Sequence, residues 1–156
     1  MYSNVRGLSS KLISLESISK TIKSNVIMVG ETFMKGSSKA DVPGYTVYNK
    51  NRTFSGGGGI ATYVREDERN TTLKVKEGTN ENEFLITRHD QFVKPINVIN
   101  FYGKLECRNK KEVIESEWAN IVEEINEIER RNEEWVLMSD LNMLLGTYIV
   151  DNKKLS

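Results

Sequence analysis

The segment Trp135-Val136-Leu137-Met138-Ser139-Asp140-Leu141-Asn142 begins as a short apolar run and then presents an acid and an amide two residues apart. A short, continuous apolar run is typical of a buried strand. Polar residues that directly follow such a strand lie at the edge of a sheet, where a ligand can reach them. Asp140 and Asn142 are also ordinary turn residues, so this segment alone fits either a site or a polar turn.

Length and composition favour a single globular domain over residues 1–156. The 22 Lys and Arg residues balance 22 Asp and Glu residues, and the chain as a whole carries no net attraction for nucleic acid. A local basic patch is still compatible with that balance. With Cys107 as the single cysteine and His89 as the single histidine, an internal disulfide and a Cys/His zinc site are both excluded. The sequence shows no signal peptide and no apolar run that could span a bilayer, so we expect an intracellular protein without membrane partners.

Helix-like and strand-like patterns alternate irregularly along the chain. Apolar residues recur at three- and four-residue steps from Leu8 to about Lys23, and again from about Lys111 to Arg130, which predicts two amphipathic helices. The pair Ser9-Ser10 is predicted to cap the first helix. Residues 1–5 are too few to judge by pattern but can form a strand, and strands are predicted at 26–29, 45–48, 60–64, 71–76, 83–87, 96–102 and 135–139. This order indicates a layered α/β domain, with either one mixed sheet backed by helices or a second sheet covering its other face.

Four glycines, Gly56 to Gly59, precede the strand predicted at 60–64. Glycine-rich loops can hold phosphate, but they do so with a Gly-Lys-Ser/Thr ending and a helix that follows. Neither feature is present here, so the glycines are predicted to form a flexible hairpin connection.

Five residues suited to one chemistry lie at or near the ends of predicted strands: Asn4, Glu31, Tyr102, Asp140 and Asn142. Glu31 is the hard oxygen ligand that Mg²⁺ prefers, and a metal there would polarise a phosphoryl group and stabilise a leaving alkoxide. Asp140 can take a proton from an attacking water, and Asn142 can orient that water or bind phosphoryl oxygens. Tyr102 offers a donor to the same oxygens, and Asn4 suits an orienting role beside the acids.

At these residues the chain resembles the endonuclease/exonuclease/phosphatase family of DNase I-like phosphodiesterases, and within it the endonuclease domains of non-LTR retrotransposons. The matching motifs occur in the family's order across nearly the whole chain: Asn4–Leu8, Val26–Glu31, Gly57–Ala61, Phe101–Gly103 followed by the helix of Trp118, and Ser139–Asn142. The resemblance implies a two-sheet DNase I-like sandwich flanked by helices, with Mg²⁺ or Mn²⁺ at its rim. It also implies hydrolysis of DNA phosphodiesters, a nuclear location if the target is genomic DNA, and a reverse transcriptase domain in a longer parent chain.

The sequence departs from the family at several positions. The family's closing Ser-Asp-His motif and the aspartate that precedes it are absent, and Lys104 occupies a position where relatives often carry Glu. His89 lies far upstream, where we expect a solvent-facing turn residue without a catalytic part. These departures predict the N-terminal half to two-thirds of such a domain, with strongly reduced activity and marginal stability on its own.

Four functional hypotheses remain open at this point. The first is a metal-dependent endonuclease, or its truncated remnant, that uses the five site residues Asn4, Glu31, Tyr102, Asp140 and Asn142. The second is a catalytically inactive relic, or a nucleic-acid-binding module, with the same fold. The third is another phosphoesterase of this fold that acts on lipid or nucleotide phosphates, and the fourth is a generic α/β domain that resembles the family by accident. Metal dependence separates the first from the second, and substrate range separates the first from the third.

Overall fold

A computed structural model describes residues 1–52, 58–78, 83–103 and 111–140 of the chain, with the backbone alone at residues 70 and 111–117. Eight strands of this described part form two four-stranded sheets. The strands are β1 (Tyr2–Asn4), β2 (Val26–Gly30), β3 (Tyr45–Lys50), β4 (Ile60–Arg65), β5 (Thr72–Glu77), β6 (Glu83–His89), β7 (Ile96–Tyr102) and β8 (Glu134–Asp140). The described part also contains two α-helices, α1 (Leu12–Ile22) and α2 (Lys111–Arg130), and two 3₁₀ helices, Leu8–Ser10 and Glu66–Thr71.

Each sheet contains one parallel pair of strands at its edge. The first sheet has the order β1-β2-β4-β3, and β1 runs parallel to β2. The second sheet has the order β5-β6-β7-β8, and β7 runs parallel to β8. Two parallel neighbours need a crossover between them, and α1 and α2 lie in those two connections. The carboxyl ends of β1, β2, β7 and β8 meet at one edge of the molecule, which we call the rim.

Two apolar clusters hold the helices against the sheets. The first joins Leu8 and Leu15 to side chains of the first sheet, among them Ile27, Val29 and Tyr63. The second joins α2 to the second sheet through these residues: Phe84, Ile86, Ile99, Phe101, Trp118, Ile121, Ile125, Ile128, Trp135 and Leu137. We call these clusters the outer interfaces, because they cover the sheet faces that point away from the opposite sheet.

The faces between the two sheets, here called the inner seam, are more polar. Ile60, Leu85 and Tyr102 form a small buried apolar cluster there. Beside it the fully buried Asn100 of β7 donates from Nδ2 to the backbone oxygen of Ala61 in β4, at 2.9 Å. A direct hydrogen bond thus joins the two sheets inside the seam.

The sequence-based fold class is confirmed: the molecule has the two-sheet sandwich flanked by helices, and the alternative with one sheet is wrong. Both helices and all seven strands predicted downstream of residue 25 are present with small shifts of their ends. The first strand, left open by its length, is β1. No helix in the described ranges is both long enough and apolar enough to cross a membrane.

The predicted cap of the first helix is wrong. A 3₁₀ turn occupies Leu8–Ser10, and α1 begins after Lys11, which makes no side-chain capping hydrogen bond. The hydroxyl of Ser10 instead donates back to the oxygen of Gly7 at 3.0 Å. The serines therefore stabilise the turn that leads out of β1.

The predicted exposure of His89 is also wrong. His89 ends strand β6 and is only 2% exposed. Its Nδ1 lies 3.1 Å from the hydroxyl oxygen of Thr72, and its Nε2 lies 3.2 Å from that of Thr87. Burial lowers the pKa of His89, so the ring is held neutral between two hydroxyl groups.

Candidate active site at the rim of the two sheets

Four of the five predicted site residues meet at the rim. Asn4 is the last residue of β1, and Glu31 directly follows β2. Tyr102 and Asp140 are the last residues of β7 and β8, and they are direct neighbours in the strand register. Asn142 and Lys104 lie outside the described residues. The two parallel strand pairs therefore deliver one amide, one phenol and two acids to the same edge.

Two hydrogen bonds cross between the sheets at this rim. Nδ2 of Asn4, in the first sheet, donates to Oδ2 of Asp140, in the second sheet, at 2.5 Å. In the opposite direction, the hydroxyl of Tyr102 donates to Oε1 of Glu31 at 2.9 Å and is buried. Hydrogen bonds to a carboxylate are roughly twice as strong as neutral ones, so each acid is oriented by a donor from the other sheet.

The backbone around Glu31 is fixed on both sides. On the β1 side, the amide of Gly7 donates to the oxygen of Glu31 at 2.8 Å. On the β4 side, the amides of Thr32 and Phe33 donate to the oxygens of Gly59 and Gly58 at 3.0 and 2.9 Å. Within this frame Glu31 has a φ of +55°, a left-handed conformation that costs a non-glycine residue about 1–2 kcal/mol. The fold thus holds this carboxylate in a strained but well-defined place.

Arg6 adds a positive charge next to Glu31. Its Nε lies 3.9 Å from Oε2 of Glu31, and its side chain is 84% exposed. Its backbone amide donates to Oδ1 of Asn4 at 3.2 Å. An ion pair this exposed adds little stability. The exposed guanidinium of Arg6 can therefore leave Glu31 at little cost and contact a ligand at the rim.

A second buried acid lies behind Gly58 and Gly59. Glu83 accepts from the amide of Gly59 at 2.7 Å through Oε2, and its Oε1 lies 3.5 Å from Nε of Arg52. Gly58 has a φ of +102°, and a Cβ there would lie 2.7 Å from both Arg52 and Glu83. Gly56 and Gly57 lie outside the described residues, and Gly58 and Gly59, just before β4, leave room for a buried ion pair between Arg52 and Glu83.

The sequence interpretation missed one residue of the rim, Tyr2. Its side chain lies on the same face of β1 as that of Asn4, because side chains two apart along a strand share a face. Its hydroxyl is buried and lies 2.6 Å from the position that a Cβ on Gly30 would occupy. Burial raises the pKa of Tyr2 and the negative charges of Asp140 and Glu31 raise it further, whereas the backbone amide of Asp140, which lies near the phenolic oxygen, lowers it. A strand of three residues is too short to recognise by pattern, so the sequence carries no clear signal for Tyr2.

His89 has no place in this site. In the register of β6 and β7, Glu83 pairs with Tyr102 at the rim, whereas His89 pairs with Ile96 at the far end. Six residues along a strand correspond to about 20 Å. The expectation that His89 takes no catalytic part stays a prediction, and this distance supports it.

The residues at the rim fit a divalent cation of the magnesium type. In the described part of the chain, no group of three or more Asp, Glu, His or Cys residues is arranged to hold a metal. Mg²⁺ commonly needs only one or two protein carboxylates, since it keeps several waters and binds substrate phosphates. Glu31 and Asp140 supply two carboxylates, and the buried hydroxyl of Tyr2 beside them makes no hydrogen bond to a described residue. Both observations are compatible with a hydrated cation at the rim.

Known structures share this fold. The chain resembles the catalytic domain of Xenopus laevis APE2 with a TM-score of 0.68 at 16% identity, covering 90% of this chain and 57% of that one. It resembles the endonuclease domain of TRAS1, a telomere-specific non-LTR retrotransposon, with a TM-score of 0.59 at 18% identity, again covering 90% and 57%. It also resembles ANGEL2, a 2′,3′-cyclic phosphatase, with a TM-score of 0.64 at 15% identity, covering 86% and 44%.

These similarities show that the chain shares the fold of these proteins, the DNase I-like two-sheet sandwich that the motifs had indicated. The structural neighbours include endonucleases and other phosphoesterases. The chain spans less than two thirds of the length of each of them. Comparison of the sequence with profiles of known families gives no match, and comparison with curated proteins gives none either.

Proposed function

We propose that the chain is a metal-dependent phosphodiesterase that cleaves DNA, of the type found in retrotransposon endonuclease domains. The observation that carries the proposal is the pair of hydrogen bonds that cross the rim, from Asn4 to Asp140 and from Tyr102 to Glu31. They gather two oriented acids and two donors at one edge of the sandwich. The order of the sequence motifs along the chain agrees with the DNase I-like fold. It resembles the order in retrotransposon endonuclease domains, which supports a nuclease over the other phosphoesterases of this fold.

In the proposed reaction, the oxygen of a water attacks phosphorus and the bond from phosphorus to the leaving sugar oxygen breaks. Asp140 accepts the proton of the attacking water, and Asn4 keeps that carboxylate in one orientation. Tyr102 turns its hydroxyl from Glu31 to a phosphoryl oxygen, and Asn142 orients the water or binds another oxygen. Glu31, with Asp140, would hold Mg²⁺ or Mn²⁺, which when bound polarises the phosphoryl group and stabilises the leaving alkoxide.

The charge of Arg6 suits a phosphate of the DNA backbone. Its guanidinium is exposed at the rim and next to the proposed cation. A guanidinium group can bind two oxygens of one phosphate through two parallel hydrogen bonds. Such a contact positions the DNA strand but does not depend on its base sequence. Arg6 is therefore proposed to help place the scissile phosphate over Asp140.

The test is nicking of supercoiled plasmid by the purified chain with Mg²⁺, with Mn²⁺ and with EDTA. We expect slow cleavage that requires the metal, because the sequence carries no Ser-Asp-His motif. Asp140→Ala should lower the rate about 100- to 10,000-fold, the usual range for loss of a general base. Asp41→Ala is the matched control, because Asp41 is an exposed acid in the loop before β3.

The outcomes separate the hypotheses. Metal-dependent nicking that Asp140→Ala abolishes and Asp41→Ala spares would support the nuclease. No cleavage by protein that circular dichroism shows to be folded would overturn it. Release of phosphate from a nucleotide or a short-chain phosphoinositide, with plasmid left intact, would favour another phosphoesterase of this fold.

A further inference from the structure

Tyr2 carries a buried hydroxyl without an assigned role. The hydroxyl oxygen has no hydrogen bond of acceptable geometry to any described residue. It lies against Gly30, 2.6 Å from where a Cβ would stand, and the ring of Tyr102 lies 3.5 Å from the same point. A buried hydroxyl without a partner costs about 1–3 kcal/mol, so a fold keeps one only where something else requires it.

A second tyrosine of the same sheet shows the ordinary arrangement. Tyr63 is fully buried in the outer interface, and its hydroxyl donates to the backbone oxygen of Ala40 at 2.7 Å. Tyr2 is placed by the same sheet but faces the inner seam, where the nearest charged groups are Asp140 and Glu31. The two tyrosines differ in the face they occupy and in whether the hydroxyl is satisfied.

The burial of the Tyr2 hydroxyl limits its partners. The oxygen is out of reach of bulk water, so its partner must be a protein group or a molecule bound within the rim. Glu31 accepts from Tyr102 and Asp140 accepts from Asn4, and of these two acids Asp140 has the larger effect on the pKa of Tyr2. A carboxylate has about four acceptor sites and can therefore accept from two donors at once.

We propose that Tyr2 is a positioning residue for a divalent cation held by Glu31 and Asp140, and that its hydroxyl donates to the Asp140 carboxylate when the cation binds. The inference rests on the proposed function and deepens it. Carboxylates that bind a metal are themselves held by hydrogen bonds, and loss of such a bond commonly weakens metal binding about 10- to 100-fold. Tyr2 and Asn4 would then fix Asp140 from two sides.

The test is direct binding of Mn²⁺, followed by the relaxation of water protons, to the unmodified chain and to Tyr2→Phe. We expect Tyr2→Phe to weaken Mn²⁺ binding about 10- to 100-fold. Tyr63→Phe is the matched control and should bind Mn²⁺ as the unmodified chain does. Glu31→Gln should remove the binding, which shows that the signal comes from the rim. Equal affinity of Tyr2→Phe and the unmodified chain, or binding that survives Glu31→Gln, would overturn the inference.

Denaturation with urea provides a readout that involves no metal. The Tyr2 hydroxyl donates to no described residue, so Tyr2→Phe loses at most the weak contact of its oxygen with the Asp140 amide. It should leave the free energy of unfolding nearly unchanged or raise it. Tyr63→Phe leaves the oxygen of Ala40 without its donor and should lower it. A large loss of stability in Tyr2→Phe would mean that the hydroxyl is already bonded within the metal-free protein, which contradicts the proposal.

Plasmid nicking separates this inference from the proposed function. If Tyr2→Phe weakens Mn²⁺ binding and the unmodified chain still does not cut DNA, the function fails and the positioning role stands. If the chain cuts DNA and Tyr2→Phe cuts equally well at every Mn²⁺ concentration, the positioning role fails and the function stands. Recovery of the Tyr2→Phe rate at high Mn²⁺ is the result that supports both.

The location of the hydroxyl can be tested by itself. A methyl group at position 30 would lie 2.6 Å from the Tyr2 oxygen but 3.5 Å from its Cζ and from the Tyr102 ring. Gly30→Ala should therefore destabilise the chain, and Tyr2→Phe in the same chain should restore most of the loss. An equal loss with and without the hydroxyl would place that oxygen elsewhere.

Discussion

The outer interfaces and the inner seam of this sandwich are built from different materials. The outer interfaces join each helix to its sheet through aliphatic and aromatic side chains. The inner seam has a small apolar cluster, the buried amide of Asn100 and, at its rim, the acids Glu31 and Asp140. Apolar contacts are nondirectional, whereas a buried polar group is tolerated only in the positions where it is bonded.

This difference assigns separate tasks to the two kinds of interface. The outer interfaces contain the two larger apolar clusters, so we expect them to supply most of the stability. The seam fixes how one sheet is placed over the other, because the bonds from Asn100 and Asn4 form at one offset only. Since the rim takes two strands from each sheet, that offset determines the geometry of the candidate site.

The largest effect on stability is expected from Ile99→Ala. Ile99 is fully buried between β7 and α2. Truncation of a buried isoleucine to alanine costs about 2–5 kcal/mol through lost burial and the cavity left behind. Urea denaturation measures this loss, and Val93→Ala, at a fully exposed valine, is the control that should change little. A loss as small as that of the control would show that the outer interface is not the main source of stability.

A smaller loss of stability, with a larger loss of function, is expected from Asn100→Ala. Its bond to Ala61 is a single neutral hydrogen bond, worth about 0.5–1.5 kcal/mol net. A shift of about 1 Å in the offset of the sheets can nevertheless lower a rate about 100-fold.

The same nicking and urea assays apply to Asn100→Ala, with the exposed helix variant Asn126→Ala as its control. If Asn100→Ala nicks plasmid at the normal rate while Ile99→Ala does not, the division of tasks between seam and outer interface is reversed.

The smallest effect is a change in how stability depends on pH. Burial lowers the pKa of His89 in the folded chain, so the unfolded chain binds the proton more readily. The stability that the neutral ring supports is present above the unfolded pKa of about 6.5 and is lost as the pH falls below it. The melting temperature of the unmodified chain should therefore fall more steeply from pH 7.5 to pH 5 than that of His89→Gln. If the melting temperatures of the unmodified chain and His89→Gln fall in parallel with pH, burial of the neutral ring does not make the folding free energy depend on pH.

Most of the fold was predictable because its elements carry clear periodic patterns. The apolar stripe of α2 and the apolar runs of β2, β7 and β8 predicted their elements closely. The rim was predictable for the same reason, since the polar residues stand where those runs stop. Placement of Asn4, Glu31, Tyr102 and Asp140 at one edge then follows from two parallel strand pairs.

The errors lie where local pattern and tertiary packing disagree. His89 precedes polar turn residues and was predicted to face solvent, but the hydroxyls of Thr72 and Thr87 let a neutral ring be buried. Ser9 and Ser10, which follow Gly7, match a capping pattern, but in the structure they belong to a 3₁₀ turn that precedes α1. Tyr2 lies in a strand of three residues, which is too short for any pattern. Its hydroxyl lies against Gly30 of the neighbouring strand β2, a contact that only the folded structure reveals.

The left-handed backbone at Glu31 bears on how this protein changes over generations. Glycine and asparagine adopt that conformation at lower cost than glutamate, so substitution by either relieves strain. In relatives whose activity does not need the Glu31 carboxylate, we expect the glutamate to be replaced readily. In relatives that use the carboxylate for cleavage, we expect it to be kept despite the cost of its backbone conformation. The residue found at this position in near relatives is therefore a natural record of whether the rim is in use.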